Sequence, residues 1–392
     1  MATEQEFDCD LVIIGAGLTG LSLACWLLEL SRQTGQTLPR VCLLEPRTEY
    51  HNDRTWCFWD TEQHPFRHLI AYRWPQWRVS IGESVVSQSA NHLPYAMLPA
   101  GRVYQHALAS IESCPEFSLQ QGVRVIDIVE SADSVRILTE TRQWCAKAVI
   151  DTRPPGPTLT TGPDQNPGFW QVFTGYEIYC PNHGFDIRQA RLMDFQPNES
   201  HVCFVYLLPF DADNFLVEWT EFYPTGTEVE MPDCTLRLEA WLENRNFRGY
   251  EIKRSESAAL PMIPLDDSQA SGRVIRAGVG AGWMRAATGY HFATCQRGAA
   301  VLAERVLSAA ASGHWFLDPP TVRKPWLNWM DRVFLRALHR HPESGPDWFL
   351  ALFRATTAEQ MARFMNDVPN LGDAVCVATA LPALPFLGAT FR

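Results

Sequence analysis

Residues 11–45 read LVIIGAGLTGLSLACWLLELSRQTGQTLPRVCLLE, and this stretch decides the fold. An apolar strand pattern at Leu11–Ile14 runs into the motif Gly15-x-Gly17-x-x-Gly20, which opens a helical pattern. A second apolar strand pattern at 41–44 follows the helix and ends on an acidic residue. A glycine turn between a strand and a helix exposes free N–H groups and the positive end of the helix dipole to phosphates. The order of these parts predicts a dinucleotide site.

Each glycine of this motif has a separate steric reason. Gly15 allows the tight turn, Gly17 lets a pyrophosphate approach the backbone, and Gly20 lets the helix pack closely on the strand. Glu45 stands where a carboxylate accepts hydrogen bonds from a ribose. The alternative is a structural glycine turn in an unrelated α/β unit. Because the strand, the helix and the acid occur in the required order, we favour a dinucleotide site, formed by Gly15, Ala16, Gly17, Gly20 and Glu45.

The composition narrows the class of protein. The chain has 392 residues, of which 46% are apolar and 20% charged, so it can bury a large core and form more than one subdomain. Its net charge of −11 argues against nucleic acid as a partner. The 11 cysteines form no CxxC pair and no Cys/His cluster with zinc spacing. We therefore expect no metal site and reduced thiols in a cytoplasmic protein.

Three segments, one at the start of the chain and two near its end, bear on export and membrane contact. The most apolar one, Ala374–Phe391, is interrupted by Pro382 and Pro385, so we expect no membrane-spanning helix. The acidic, polar start, MATEQEFDCD, does not resemble a secretory signal. The segment Trp326–His341 aligns three arginines on one helical face, and we expect it to pack on the protein as an ordinary amphipathic helix. The alternative is a basic, Trp-bearing helix that contacts anionic lipid.

Apolar patterns divide the remaining chain. Strand-like alternation predicts strands in the first half at 77–86, 122–128, 135–139 and 145–151. The segment between Glu45 and Asp60 mixes charges with aromatic residues, and we expect a loop there that packs against a ligand. Residues 154–168 predict a crossover. An antiparallel sheet is predicted from segments Phe169–Glu177, Gln189–Phe195, His201–Pro209 and Asn214–Phe222, and helices from Trp326–His339, Trp348–Phe353 and Ala358–Met365.

Three further motifs occur outside the glycine motif. Residues 53–59 read DRTWCFW. Residues 204–209 read FVYLLP and are followed by FLVEWT at 215–220. Residues 288–290 read TGY after a glycine-rich turn. Together with the glycine motif and the C-terminal pattern MDRVFLRAL, they resemble the lycopene cyclase family of flavoproteins over nearly the whole chain.

The resemblance implies an α/β fold. It consists of an FAD-binding Rossmann-type domain, like that of glutathione reductase and the aromatic hydroxylases, an antiparallel β-sheet substrate domain and a helical C-terminal region. We expect residues 1–155 to form the first part of the FAD-binding domain and residues 256–310 its return segment. Residues 156–255 would form the substrate-binding sheet domain, and residues 311–392 the helical region.

The resemblance also implies an activity. Members of this family close the ψ-ends of an acyclic carotenoid into β-ionone rings, and they require reduced FAD although the reaction has no net redox change. The expected cofactors are therefore FAD and NADPH or another electron donor. The expected substrate, lycopene, has negligible solubility in water, so we expect a cytoplasmic protein associated peripherally with the membrane.

Ring closure needs a proton delivered to an alkene carbon, hence a carboxylic acid that stays protonated near neutral pH. Glu218 lies between apolar residues on a strand of the expected substrate sheet and is our candidate for this acid. Asp194 is the candidate for a second acid or proton relay. Aromatic faces stabilise carbocations, and the candidates for substrate binding are Trp219, Tyr206, Phe204 and Trp283. The candidates for further FAD contacts are Arg54, Gly280, Gly282, Thr288 and Gly289.

Three departures from the family pattern keep other activities open. FLVEWT keeps only the first of two adjacent acids, Arg285-Ala286-Ala287 precedes the TGY motif, and Arg153-Pro154 stands where a glycine is usual. One alternative is an FAD-dependent monooxygenase, which the absence of a Gly-Asp pair at 277–281 disfavours. The others are a related cyclase acting on another polyene or prenyl chain, and a carotenoid-binding flavoprotein without catalysis.

Overall fold

The computed structural model describes residues 7–155, 168–196, 199–225, 233–265 and 269–390. Most of the predicted crossover at 154–168 lies outside these ranges. In the described residues the α-helices are α1 Leu18–Thr34, α2 Ala100–Glu112, α3 Thr235–Asn244, α4 Phe292–Ser312, α5 Pro325–Arg340, α6 Gly345–Ala355, α7 Ala358–Met365, α8 Leu371–Ala380 and α9 Ala383–Thr390. Short 3₁₀ helices lie at Arg67–Leu69, Gly278–Ala281 and Pro342–Ser344.

The strands form three sheets. In the first half of the chain they are β1 Cys9–Ile14, β2 Val41–Glu45, β3 Thr55–Trp59, β4 Tyr72–Trp74, β5 Gln76–Ile81, β6 Ser84–Ser89, β7 Tyr95–Pro99, β8 Phe117–Gln121, β9 Val125–Glu130, β10 Val135–Thr139 and β11 Gln143–Asp151. In the second half they are β12 Phe169–Tyr179, β13 Gln189–Phe195, β14 Cys203–Pro209, β15 Asn214–Pro224, β16 Glu251–Met262 and β17 Val274–Arg276.

The first sheet carries the glycine motif. Its strand order is β8-β2-β1-β11-β10-β9, with β17 beside β11. Strands β8, β2, β1, β11 and β17 run parallel, whereas β10 pairs antiparallel with both β11 and β9. One face packs on α1, α2 and α4, because the apolar faces of these helices and strands form one continuous core. Since β1 and β2 are neighbours, Gly15 and Glu45 meet at the carboxyl edge of this sheet.

The second sheet is mostly antiparallel, with the order β16-β12-β15-β14-β13-β5-β6. Its side chains alternate between two apolar clusters. Leu216 and Phe222 of β15 face the cluster shared with the C-terminal helices. Val217 and Trp219 of the same strand face the cluster covered by α3. A third, small sheet, β3-β7-β4, lies beside these two.

The C-terminal helices are held by a buried group of four charges. Arg323 donates to Asp331 at 2.7 Å and to Asp367 at 2.9 Å, and Arg285 lies 3.4 Å from Asp331. All four residues are at most 4% exposed. Two positive and two negative side chains neutralise one another, so the segment that contains the TGY motif is ionically tied to α5 and to the end of α7.

The predicted fold class is confirmed: an α/β Rossmann-type unit, an antiparallel sheet and a helical C-terminal region. The four predicted substrate-sheet strands and the three predicted C-terminal helices are present within a few residues of the expected bounds. Two local expectations were wrong. Residues 55–59 form strand β3 rather than a loop, and residues 77–86 belong to a hairpin of two strands that joins the second sheet.

The apolar C-terminal segment forms two helices, as its prolines predict. Among the described residues no single helix has the length and hydropathy to cross a membrane, and α8 with α9 passes such a test only as a pair bent by 111°. Helix α5, for which we weighed a lipid-facing role, buries Leu327, Phe334 and Leu338 in the core. The structure therefore agrees with the expectation that α5 packs on the protein.

Candidate active site

One cavity of about 640 Å³ connects the glycine motif with the second sheet. At one end it is lined by Gly15, Gly17 and Glu45, and at the other by Tyr206 and Glu218. Helices α6 and α7 contribute Phe349, Phe353 and Met365. A nucleotide-type motif and a mostly apolar chamber thus share a single cavity, which is an arrangement typical of a cofactor next to its substrate.

The glycine end of the cavity has the expected close packing. Gly15 has a φ of +91°, which favours glycine, and a Cβ on Gly20 would lie 2.0 Å from the Gly15 carbonyl oxygen. At Gly17, in contrast, a Cβ would meet only the Arg47 guanidinium, at 3.9 Å. Gly17 therefore leaves open space in front of the N-terminus of α1, whereas Gly20 is needed for helix packing.

Glu45 is held in place by its own loop. Its carboxylate accepts hydrogen bonds from the Ala16 N–H at 2.7 Å and from Nε of Arg47 at 2.9 Å. Burial alone would raise the pKa of Glu45, but the hydrogen bonds from Arg47 and Ala16 outweigh it and lower this pKa. The Arg47 guanidinium packs over the rings of Tyr50 and Tyr104. An ionised carboxylate and a fixed guanidinium therefore face the open space at Gly17.

Three buried polar atoms that belong to cavity-lining residues have no hydrogen-bond partner among the described residues: Thr288 Oγ1, Gln171 Oε1 and His291 Nδ1. Gly289 lies beside them with a φ of +75°, and a Cβ there would be 2.9 Å from Gln171 Oε1. Burial lowers the pKa of His291 to about 4, so this ring is neutral at neutral pH. Unpartnered buried polar groups are costly, so these atoms indicate a polar ligand between the TGY segment and the glycine motif.

At the sheet end, Glu218 of β15 faces the cavity. Burial, followed by the neighbouring Glu256 carboxyl, raises the pKa of Glu218 well above its ordinary value. A raised pKa keeps this carboxyl protonated to higher pH than an ordinary glutamate, so it can give its proton to a group in the cavity. The geometry therefore supports the general-acid chemistry that we predict for Glu218.

Three tyrosine hydroxyls form a chain along the same chamber. The Tyr95 hydroxyl lies 3.0 Å from that of Tyr206 and 3.1 Å from that of Tyr290. Burial raises the pKa of all three, so they remain neutral phenols. Tyr206 lies opposite Glu218 across β14 and β15, and the chain therefore runs from the neighbourhood of the acid to the TGY segment.

The family model for lycopene cyclases matches residues 10–390. The chain belongs to the lycopene cyclase family. A lycopene beta-cyclase of Pseudescherichia vulneris is 25% identical over 403 residues, covering 98% of this chain and 96% of that protein. A lycopene beta-cyclase of Pantoea ananas is 22% identical, covering 97% of this chain and 96% of that protein.

The fold of this lycopene cyclase family member is shared with enzymes of other activities. The flavin-dependent brominase Bmp2 superposes with a TM-score of 0.61 at 14% identity, covering 95% of this chain and 98% of that chain. The p-nitrophenol 4-monooxygenase of Pseudomonas putida superposes with a TM-score of 0.59 at 15% identity, covering 99% of this chain and 100% of that chain. At this identity the likeness concerns the fold alone. Family membership makes the protein an enzyme of the lycopene cyclase family, and its fold is one that flavin-dependent enzymes also adopt.

Several predicted site residues of this family member line the cavity, and others do not. Those that line it are Gly15, Gly17, Glu45, Arg54, Phe204, Tyr206, Glu218, Thr288 and Gly289. Ala16 and Gly20 do not line the cavity. The Ala16 N–H donates to Glu45, and Gly20 allows α1 to pack closely on the backbone at Gly15. Gly280 lies against the Arg153 carbonyl, where a Cβ would come within 2.4 Å, and Gly282 has a left-handed φ of +72°. The structure therefore explains both glycines by backbone packing and a turn.

The structure places Trp219 outside the cavity, which corrects the prediction of a substrate contact. Adjacent residues of a strand point to opposite faces, so Trp219 faces α3 while Glu218 faces the cavity. Nε1 of Trp219 donates to the buried Glu221 carboxylate at 2.6 Å. Burial would raise the pKa of Glu221, but hydrogen bonds from His201, Tyr223 and Trp219 lower it to about 2.

Asp194 and Trp283 also lie outside the cavity lining, which corrects two further predictions. Asp194 accepts a hydrogen bond from Ser80 at 2.9 Å and pairs with Arg245 of the α3 end at 3.5 Å. It therefore fastens α3 to the sheet instead of facing substrate. Trp283 packs in the core of the first domain against Gly298, where a Cβ would meet its ring at 2.6 Å.

Arg47 and Glu256 are among the cavity residues that the sequence did not indicate. Arg47 lies two residues after Glu45, and its basic character next to an acid that ends a strand could have identified it. Glu256 belongs to β16, a strand the analysis did not predict. The isolated Gly175 inside predicted strand 169–177 was an available signal, because a glycine in a strand often marks close approach by a neighbour.

Proposed function

We propose that this protein is an FAD-dependent cyclase that closes the ψ-ends of lycopene into β-ionone rings. The observation that carries the proposal is Glu218, a half-buried carboxyl with a raised pKa, in an apolar chamber continuous with the glycine motif. Relatives named lycopene beta-cyclase along nearly the full length support the choice of a carotenoid substrate. The proposed reaction is a proton-initiated isomerisation without net redox change.

In the proposed mechanism, the Glu218 carboxyl donates its proton to the terminal alkene of the ψ-end. This leaves a tertiary carbocation, which the neighbouring double bond attacks to form the ring. Loss of a proton from the cyclic cation then restores an alkene and the proton balance. The aromatic faces of Phe204, Tyr206 and Tyr290 line the chamber, and they would stabilise both cations while excluding water.

The residues at the glycine end fit FAD, because the Gly17 space, the ionised Glu45 and the unpartnered polar atoms of the TGY region are all present. We propose that Gly15, Gly17 and the α1 N-terminus hold the pyrophosphate and that Glu45 receives a ribose hydroxyl. Arg47 and Arg54 would balance phosphate charge. Bound in its reduced, anionic form, FAD supplies a negative charge that stabilises carbocations electrostatically. NADPH or another donor is the proposed reductant.

Gly17→Ala tests the cofactor assignment. The new methyl group has room in the protein, so we expect the unfolding free energy of the flavin-free variant to change by about 1 kcal/mol or less. The same methyl would occupy the space proposed for the pyrophosphate, so the purified protein should lose its flavin absorbance. Urea titration of flavin-free proteins and the absorbance spectrum measure the two quantities.

Gly20→Ala is the matched comparison. Its Cβ would lie 2.0 Å from a backbone oxygen, so this variant should fail to fold or unfold at far lower urea concentration. The assignment is contradicted when Gly17→Ala retains a full complement of FAD.

We also propose that an apolar patch on α8 and α9 contacts the membrane from which the polyene is drawn. The patch consists of Leu371, Val375, Leu384 and Leu387, which are 80%, 60%, 84% and 58% exposed. Helix α8 packs on α6 and α7, the helices that line the chamber. The patch and the chamber therefore belong to one helical region.

The 11 free cysteines support a reducing, cytoplasmic location.

Replacing Leu384 and Leu387 together by aspartate tests this surface. Burying a leucine contributes about 1.5–3 kcal/mol, so loss of two contacts should weaken binding to phosphatidylcholine vesicles at least about tenfold. Leu236→Asp, at an exposed leucine on α3, is the control and should bind like the native protein. Unchanged binding of the double variant, or binding that disappears in high salt, would contradict an apolar contact through this patch.

The function itself is tested by expressing the native chain in a lycopene-accumulating bacterium and chromatographing the pigments. We expect lycopene to decrease while γ-carotene or β-carotene appears. Unchanged lycopene with soluble, flavin-loaded protein would contradict the proposal and favour another prenyl substrate. Oxygenated pigments would instead indicate a monooxygenase.

A further inference from the structure

Two glutamates and one glycine occupy matching positions on three neighbouring strands. Gly175 of β12 pairs with Glu218 of β15 on one side and with Glu256 of β16 on the other. Both glutamates line the cavity. A Cβ on Gly175 would lie 2.5 Å from Glu218 Cγ, so the Glu218 side chain occupies the space above the glycine. The missing side chain of Gly175 thus brings two carboxyl groups together across an intervening strand.

Glu256 is held by a fixed set of donors. Its carboxylate accepts from the Thr55 hydroxyl at 2.8 Å and from the Arg254 guanidinium at 2.9 Å. Arg254 also donates to Thr55 at 2.8 Å, which closes the triangle, and to Glu177 at 3.2 Å. Glu256 is 7% exposed. The Arg254 guanidinium stabilises the charged form of this buried carboxylate, because the ion pair compensates for lost hydration.

We propose, resting on the proposed function, that Glu256 is the positioning residue for the acid. The missing side chain of Gly175 leaves a gap between the two glutamates, and across this Gly175 gap the fixed negative charge of Glu256 keeps Glu218 protonated and oriented. Glu218 and Glu256 lie on either side of Gly175, and the Glu256 carboxyl adds to burial in raising the pKa of Glu218. Two neighbouring carboxyls cannot both ionise at low cost. Because Arg254 and Thr55 hold Glu256 ionised, the proton resides on Glu218. The pair therefore assigns different roles to two glutamates in one chamber.

Other groups near Glu218 bear on the same balance. Arg254 of β16 acts in the opposite direction and lowers the pKa of Glu218. Tyr206 of β14 and Cys57 of β3 also lie close enough to interact with Glu218, and Tyr95 of β7 adjoins Tyr206. Burial raises the pKa of all three, so they are neutral at neutral pH. Glu256 is thus the negative group among these neighbours.

Glu256→Gln tests the charge. Glutamine keeps the shape and the acceptor for Thr55 and Arg254, but it removes the negative charge. The pKa of Glu218 should fall by about one pH unit or more. Since a general acid must be protonated, the alkaline limb of the kcat profile should move to lower pH by the same amount. Glu256→Asp should restore part of the shift, and Glu251→Gln, at an exposed residue of the same strand, should leave the profile unchanged.

Infrared titration of the purified flavoprotein gives a readout that does not need turnover. The carbonyl stretch of a protonated carboxylic acid should be present in the native protein, be absent in Glu218→Gln and disappear at lower pH in Glu256→Gln. If the native protein does not cyclise lycopene but the carbonyl band disappears at lower pH in Glu256→Gln than in the native protein, the proposed function is contradicted. The proposal for the glutamate pair is then supported. If the native protein cyclises lycopene and Glu256→Gln shifts neither the carbonyl band nor the kcat profile, only the proposal for the glutamate pair is contradicted.

Gly175→Ala tests the geometry with both glutamates intact. The methyl should displace Glu218, so kcat should fall to the level of Glu218→Gln. Adding Gly175→Ala to Glu218→Gln should cause no further loss, because the two changes act through one side chain. If Gly175→Ala has the native kcat, the missing side chain of Gly175 does not position Glu218, and this part of the proposal is contradicted. If that variant fails to fold, the infrared shift in Glu256→Gln decides the proposal.

Discussion

Glu218→Gln should lower the rate of ring closure by about 10²–10⁴-fold, because general acid catalysis contributes this much and an amide has no proton to give. The substitution preserves side-chain shape, so the chamber, the Gly175 gap and the fold should remain. In the lycopene-accumulating bacterium, the variant should leave the pigment as lycopene while the native chain converts it. The rates of purified, flavin-loaded proteins measure the factor directly.

Glu218→Asp is the matched control for this prediction. Aspartate retains a titratable proton but is one methylene shorter, so it should keep more activity than glutamine. Both variants should bind flavin to the native level, since Glu218 lies at the opposite end of the cavity from the glycine motif. A glutamine variant that cyclises lycopene at the native rate would exclude Glu218 as the acid.

Asp331→Ala should lower the free energy of unfolding by about 3–5 kcal/mol, because it leaves the buried guanidinium groups of Arg285 and Arg323 with one carboxylate between them. Arg285 is 2% exposed, so water does not replace the lost partner. The Arg285 carbonyl also accepts the Gly289 N–H at 2.8 Å, and we therefore expect the TGY segment to loosen. Urea unfolding of flavin-free protein measures the difference.

Glu140→Ala is the control for the buried cluster. Glu140 pairs with Arg124 at 4.0 Å, and both side chains are exposed, so its loss should cost about 1 kcal/mol or less. A loss of that small size in Asp331→Ala would show that the cluster does not hold the C-terminal helices in place.

The features that were predicted correctly from the sequence are those determined by residues close together in the chain. The glycine motif predicted the turn into α1, and apolar periodicity predicted the four substrate-sheet strands and helices α5 to α7. Prolines predicted the break between α8 and α9. These features depend on neighbours within a few residues, so one chain is sufficient to recognise them.

The parts that were missed or misplaced depend on pairing across the sheet. Glu218 and Trp219 were both assigned to substrate, although strand alternation places neighbours on opposite faces. The partnership of Glu218 with Glu256 requires the order β15-β12-β16, which brings together residues far apart in the chain. That order comes from packing of the whole sheet. The isolated Gly175 could have indicated a close approach at this point, but not which strand makes it. The roles assigned to individual site residues stay predictions.

Strand β15 carries two glutamates of opposite character, Glu218 with a raised pKa towards the chamber and Glu221 with a lowered pKa towards α3. Their separation by an odd number of residues makes this division depend on an unbroken count along the strand. Insertion or deletion of a single codon before Glu218 would exchange the two faces, placing an indole in the chamber and a carboxyl under a helix. A change of length in this strand would therefore move every following side chain to the other face, whereas a substitution changes one side chain in place.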